Sequence, residues 1–299
     1  MIRYRAFTKD FDGLRAVDAL TLEVPRGAVV ALLGPNGSGK TTSIKAAAGL
    51  VRPTTGEVLL GNAGRPAVDP EARRICSFLP QRVSFPEALT GREVVEFYRR
   101  LRGAPVDATD RVLKFASLNG SSHRTVAAYS GGMLQRLGLA VAMVPEAEIL
   151  LLDEPTAALD PDGLCALYGL IEERRRAGAT LFFSSHQLGD VERLADHIAV
   201  LAKGRLVAMM SERELAERLA DGGVMRVRLR ARVIGLLERL QTVSPQALWH
   251  GDELIVPGPA TARPAVLDLI RAAGGEITGL TAAEGRLDEF YRALVEAHP

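Results

Sequence analysis

From Ala28 to Leu33 the chain is apolar at every position and then meets Gly34, the pattern of a strand buried on both faces that ends in a loop. Just upstream, Thr21 to Val24 alternates, and a Pro25-Arg26-Gly27 turn separates it from the buried run. Helical spacing with a small-residue face (SIKAAAGL) follows from Thr41 to Leu50, and RPTTGEVLL reads as a turn into a further strand. A strand, a glycine-rich loop and a helix in that order predict an anion site at the helix start, where the first N–H groups have no partner within the helix.

The texture changes between about Arg82 and Val126. REVVEFYRRLRG and RVLKFASL carry helical spacing with charged outer faces and strand-like runs are missing, so a helical insertion is predicted over about residues 82–145. Apolar β-type runs return at Glu148 to Leu152 and Thr180 to Ser184, each followed by a polar cluster and a helical pattern such as DGLCALYGLIEERRR. Strands alternating with helices imply an α/β core with a mainly parallel sheet covered on both faces. The Gly222-Gly223 pair marks the expected seam, which divides the chain into domains over residues 1–222 and 223–299. The second reads as strand (Met225 to Arg230), helix (Val233 to Gln241), strands (near Ala247 to Trp249 and Glu253 to Val256), helix (Arg263 to Ala273), strand (Glu276 to Leu280) and helix (Leu287 to Ala297). That is βαββαβ with an added helix, a small α+β domain of the split-βαβ kind.

Charge and composition narrow the partners. Among 299 residues, 37 Lys+Arg balance 36 Asp+Glu to a net +1, so no nucleic-acid partner is expected. Hydrophobic residues make up 47% and charged ones 24%, which excludes a disordered chain. No apolar run approaches the roughly 20 residues that span a bilayer, and MIRYRAFTKDFDG lacks the apolar core of a leader, so the chain is expected to be cytoplasmic and to cross nothing itself. Cys76 and Cys165 stand apart without metal-type spacing and are expected to be buried, reduced thiols. Met209-Met210 lies in a strand-like run expected to face the core, and Trp249 and His250 read as packing and surface.

Chemistry concentrates in three places. Gly34-Pro35-Asn36-Gly37-Ser38-Gly39-Lys40-Thr41-Thr42 satisfies GxxxxGK[ST] between a buried strand and a helix. There the glycines let backbone N–H groups turn inward around phosphate oxygens, Lys40 places an ammonium on the β/γ phosphates, and the Thr41 hydroxyl can ligate Mg2+. At the end of ILLL, Asp153 and Glu154 offer two carboxylates whose side chains diverge: Asp153 can hold Mg2+, and Glu154 can polarise the water that attacks the γ-phosphate. Ser130-Gly131-Gly132 precedes the apolar helix LQRLGLAVAMV and could receive an anion, though alone it reads more often as an ordinary helix cap.

The order of these segments resembles the nucleotide-binding subunits of ABC transporters over residues 1 to about 220. The family's Walker A matches residues 34–42, its Q-loop glutamine Gln81 in FLPQ, and its signature residues 129–133. Walker B matches ILLLDEP with Asp153 and the catalytic Glu154, the D-loop matches Ala158-Leu159-Asp160, and the switch histidine matches His186 in SSH. The aromatic that stacks on adenine is matched by Phe11, where the family usually has tyrosine; the signature carries Tyr129 and Met133 where leucine and glutamine are commonest. The resemblance implies a P-loop NTPase core (RecA-like) with the ABC helical insertion, ATP and Mg2+ as cofactors, and Gln81 sensing Mg2+ and the attacking water. It also implies His186 on the γ-phosphate and a second copy of the chain whose signature closes over the ATP held by the first.

A chain without a membrane span needs a separate permease, docked on the helical insertion, to serve transport, which would hold it peripherally at the cytoplasmic face of the inner membrane. The segments TTSIKAAAGL, FLPQRVSFPEALTGREVVEFYRRLRG, YSGGMLQRLGLA and GRLDEFYRALVEA are similar to the ATPase subunit of the transporter that matures nitrous-oxide reductase. That similarity implies a periplasmic copper-maturation protein as a further partner; exporters of drugs, lipids or haem carry similar tails and form the alternative. A chromosome-maintenance ATPase needs a long coiled coil where only about ninety residues separate Walker A from the signature. Translation factors of the ABC type join two such domains in one chain. A P-loop small-molecule kinase would leave the signature, D-loop and switch histidine unexplained.

Overall fold

The computed structural model describes residues 1–297 except Ala158, Glu284 and Arg286. The chain divides into two compact units, Met1–Met209 and Met210–Pro299.

A six-stranded sheet organises the first unit, in the order Arg205–Ser211, His197–Ala202, Val29–Leu33, Thr180–Ser185, Ile149–Leu152, Cys76–Leu79. From His197–Ala202 to Cys76–Leu79 every neighbouring pair is parallel. Val29–Leu33, Ile149–Leu152 and Thr180–Ser185 are buried along their whole lengths, because helices such as Lys40–Ala47, Pro161–Arg176 and Leu188–Leu194 pack on the sheet. Since these strands run in one direction, the residues that follow them emerge along a single edge: Gly34 after Leu33, Gln81 after Leu79, Asp153 after Leu152 and His186 after Ser185.

A second, antiparallel sheet runs Leu14–Val24, Ile2–Phe11, Thr55–Leu60, Arg65–Pro66. Between the two sheets lies a core that includes Tyr4, Phe7, Ile44, Leu60, Phe182 and Leu201. Tyr4 ties it together: its ring centroid lies 6.2 Å from that of Phe182, and its hydroxyl donates to Ser43 O at 2.7 Å, which satisfies the one polar atom that burial would otherwise strand. The insertion contains the helices Gly91–Arg102, Ala108–Phe115 and Gly131–Met143. Thr90 and Glu93 close a capping box at the first of these, and Ser130 caps the last through Met133 N.

The second unit holds a four-stranded antiparallel sheet ordered Leu248–His250, Glu253–Pro257, Val224–Leu229, Ile277–Ala283. Its alternating strand residues Met225, Val227 and Leu229 pack with Leu236, Leu240, Val266 and Ile270 from the helices Leu236–Gln241 and Arg263–Ala272. Chain order βαββαβ with this neighbour order is the split-βαβ arrangement.

Three expectations need revision. The division falls between Met209 and Met210, ahead of Gly222-Gly223. Helix Glu212–Asp221 goes with the second unit, where Gly285 N donates to Leu219 O at 2.7 Å. Cys76 is buried, but Cys165 is exposed, because helix Pro161–Arg176 buries the face of Ala166, Leu167, Leu170 and Ile171 and turns residue 165 outward. Met210 is buried as expected, while its neighbour Met209, on the opposite face of a strand, is 37% exposed.

Candidate active site

Between Leu33 and Lys40 the backbone turns in a space that excludes side chains at two points. A Cβ on Gly34 would fall 2.4 Å from Ser38 Oγ and 2.6 Å from Leu201 O. Gly39, at φ 99°, would bring one within 2.6 Å of Ala16 O. Pro35, Asn36 and Gly37 form the exposed crest of the loop, while Ser38 is buried with its hydroxyl unpartnered. Lys40 opens the following helix, with Thr41 and Thr42 in its first turn. Its ammonium, only 5% exposed, donates to Gly34 O at 2.8 Å and Pro35 O at 3.2 Å, and lies 3.5 Å from Glu154 Oε1.

The two carboxylates at the end of Ile149–Leu152 do separate things. Asp153 is fully buried; its Oδ1 accepts from Thr41 Oγ1 at 3.0 Å and from Ser184 Oγ at 2.8 Å, and its Oδ2 is buried with no protein partner. Glu154 adopts φ 47°, a left-handed backbone that a side chain rarely takes and that aims its carboxylate back over the loop. Its Oε2 accepts from Gln81 Nε2 at 2.9 Å and lies 3.3 Å from Nδ1 of His186, a half-exposed side chain. The structure therefore brings Lys40, Gln81 and His186 to the Glu154 carboxylate, a residue that is 7% exposed, and pairs Thr41 with the neighbouring Asp153. One hydrogen bond from Gln81 and the nearby nitrogens of Lys40 and His186, from three separate parts of the chain, thus fix the position of this carboxylate.

The remaining candidates have local partners. Ser130 and Gly131 form the exposed start of helix Gly131–Met143, with Gly132 partly buried beside them. Tyr129 donates its hydroxyl to Ser121 O at 3.0 Å and packs where a Cβ on Gly91 would stand; burial raises its phenol pKa. Asp160 caps helix Pro161–Arg176 by accepting from Gly163 N at 2.9 Å, and sits 3.4 Å from Arg136 Nη2. Ala158 of the same segment lies outside the described residues. Phe11 ends the first strand, 43% exposed, with Lys9 Nζ 4.8 Å from its ring centroid.

Two contributors were missed from sequence. Ser184 is fully buried between the Asp153 carboxylate and the Glu154 backbone N–H, and the signal was a serine pair closing the apolar run TLFFSS. Arg136, 9% exposed, interrupts the buried face of LQRLGLA and reaches both Asp160 and, at 3.4 Å, Ser117 O.

Comparison with known proteins decides the family. The family model for the ABC transporter matches residues 17–157. Over 99% of this chain and 100% of its own length, an uncharacterized ABC transporter ATP-binding protein of Bacillus subtilis (strain 168), YxlF, is 31% identical. The chain belongs to the ABC transporter ATP-binding proteins. It is an ATPase that binds ATP. The daunorubicin/doxorubicin resistance ATP-binding protein DrrA of Streptomyces peucetius is 32% identical, covering 100% of this chain and 93% of that protein. Among solved structures, the dimeric post-hydrolysis state of the ATP-binding cassette MJ0796 bound to ADP and Pi superposes with a TM-score of 0.65 at 26% identity, covering 71% of this chain and 99% of that one.

Proposed function

We propose that two copies of this ABC ATPase close on two ATP molecules and drive a separate membrane permease, with Glu154 as the general base. The observation that carries this reading is the convergence of Lys40, Gln81 and His186 on the Glu154 carboxylate beside the Thr41–Asp153 pair. In it, the loop N–H groups and Lys40 cradle the β/γ phosphates. Glu154 takes the proton of the attacking water, and His186 holds Glu154 in place and contacts the γ-phosphate. Phe11 offers a ring face to the adenine. Ser130, Gly131 and Gly132 of one copy, an exposed helix start, meet the phosphates held by the other, and Asp160 lies on the segment facing that partner. The dimeric MJ0796 cassette supports this pairing.

The donor set fits Mg2+: Asp153 Oδ2 is a buried carboxylate oxygen without a protein partner, on the same carboxyl group as the Oδ1 that accepts from the Thr41 hydroxyl. Thr41 and Asp153, with Gln81 beside them, would hold the ion, which supplies charge neutralisation on the phosphates. Asp153 and Thr41 fix their own geometry through their mutual hydrogen bond.

Among the described residues no helix is long and apolar enough to cross a membrane, so the transport pathway belongs to the permease and this chain works at its cytoplasmic face. Similarity to a daunorubicin/doxorubicin resistance ATP-binding protein over 100% of this chain and 93% of that protein favours a drug-exporter role. A second reading, maturation of the copper sites of nitrous-oxide reductase with a periplasmic copper protein, rests on the resemblance of the segments TTSIKAAAGL, FLPQRVSFPEALTGREVVEFYRRLRG, YSGGMLQRLGLA and GRLDEFYRALVEA. Tagged Glu154→Gln protein, trapped with ATP in native membranes under mild detergent, separates them by mass spectrometry of what co-purifies. A multi-span permease alone supports export, and a permease with a periplasmic copper protein supports the second reading. Ribosomal proteins, or no membrane protein, would overturn transport.

A further inference from the structure

We infer that Ser184 is a positioning residue that sets both carboxylates of the site, an inference that rests on the roles proposed for Asp153 and Glu154. Strands Ile149–Leu152 and Thr180–Ser185 are parallel with Leu152 opposite Phe183, so one step further along places Asp153 beside Ser184. A hydroxyl has one proton to donate and lone pairs to accept with. Ser184 donates to Asp153 Oδ1 at 2.8 Å and accepts from Glu154 N at 2.9 Å, and it is fully buried, so water does not compete for either bond.

Two consequences follow from this geometry. First, Asp153 Oδ1 is engaged by Ser184 and Thr41 together, which leaves Oδ2 as the oxygen open to a cation. Without Ser184 the carboxylate is held from one side and can exchange its two oxygens. Second, the Glu154 N–H belongs to a residue in the left-handed region at φ 47°, a conformation that persists only where surroundings hold it. Ser184 supplies that hold, and through it the direction in which the Glu154 side chain leaves the backbone. The neighbouring Ser185 does a different job: its hydroxyl accepts from Gln187 N at 2.9 Å and shapes the turn that presents His186. The serine pair thus serves the base from two sides, one through the carboxylates and one through the histidine turn.

The test compares Ser184→Ala with the parent in steady-state ATP hydrolysis against Mg2+ concentration, in binding of a fluorescent ATP analogue, and in thermal unfolding. Supporty comes from a kcat lowered about 10- to 100-fold, the usual scale for a residue behind a ligand, together with a raised Mg2+ half-saturation and unchanged binding of the nucleotide analogue. A residue that only filled space would lower the unfolding temperature and leave the Mg2+ half-saturation of the folded enzyme in place. Either an unchanged kcat or a lowered kcat with an unchanged Mg2+ half-saturation overturns the inference. Should Ser184→Ala fail to fold, Ser184→Cys keeps the volume and a weak S–H donor and is expected to show an intermediate loss with the same Mg2+ signature. Glu154→Gln run in parallel separates the two readings: normal turnover in that variant removes the site assignment, whereas an inactive Glu154→Gln beside a normal Ser184→Ala removes only Ser184.

Discussion

Lys40 is held at 5% exposure by two carbonyls of its own loop and faces Glu154 across 3.5 Å, so a single ammonium both shapes the loop and supplies its charge. Lys40→Ala is therefore expected to abolish ATP binding at concentrations that saturate the parent, as read by equilibrium binding of a fluorescent nucleotide, with the strand Val29–Leu33 still folded. The two thiols separate just as clearly. Burial pushes the Cys76 thiol up to about 12, so at pH 8 it carries almost no thiolate, while Cys165 is exposed. Maleimide at pH 8 is expected to modify Cys165 alone, with Cys76 reacting only after denaturation. Early labelling of Cys76 in peptide maps would contradict its burial.

At the scale of elements, helix Gly91–Arg102 shows how a half-buried carboxylate can anchor the insertion. Side-chain hydrogen bonds from Arg99, Thr109 and Arg100 hold Glu96 well below the usual carboxylate range and bridge this helix to Ala108–Phe115. Because the folded pKa is depressed, the stability contributed by Glu96 is fully present above the unfolded value of about 4.3 and is lost as pH falls through the folded value. The difference in unfolding temperature between the parent and Glu96→Gln is thus expected to stay constant from pH 8 to about 5 and to shrink below about 4; a gap that widens in acid would contradict the assignment. Elements also differ in how far sequence reveals them. The buried run Ala28 to Leu33 and the carboxylates after ILLL were legible because burial on both faces leaves an unbroken apolar signature. Strands Ile2–Phe11 and Leu14–Val24 were not, apart from Thr21 to Val24. Register shifts along their ladder, with Ala6 at φ 45° and Ala19 at φ 47°, break the two-residue alternation. Cys76–Leu79 has only four residues and owes its place to its neighbour Ile149–Leu152, which local pattern does not record. The site residues with a motif were readable. Ser184 was not, because its role exists only once two strands distant in sequence lie side by side.

For the whole molecule, Lys40, Glu154 and His186 come together within one chain, while in the proposed function the exposed start of helix Gly131–Met143 acts against a second copy. Glu154→Gln with ATP is expected to shift from one-chain to two-chain mass in light scattering, and Ser130→Arg added to it should restore the one-chain mass; a two-chain species independent of ATP would point to another interface. Glu154 as the base is central to the proposed function, and the decisive measurement is steady-state ATP hydrolysis by purified Glu154→Gln alongside its ATP binding. We expect turnover to fall by roughly 10²- to 10⁴-fold, the range for loss of a general base, with ATP still bound. Near-normal hydrolysis in that variant would contradict the account.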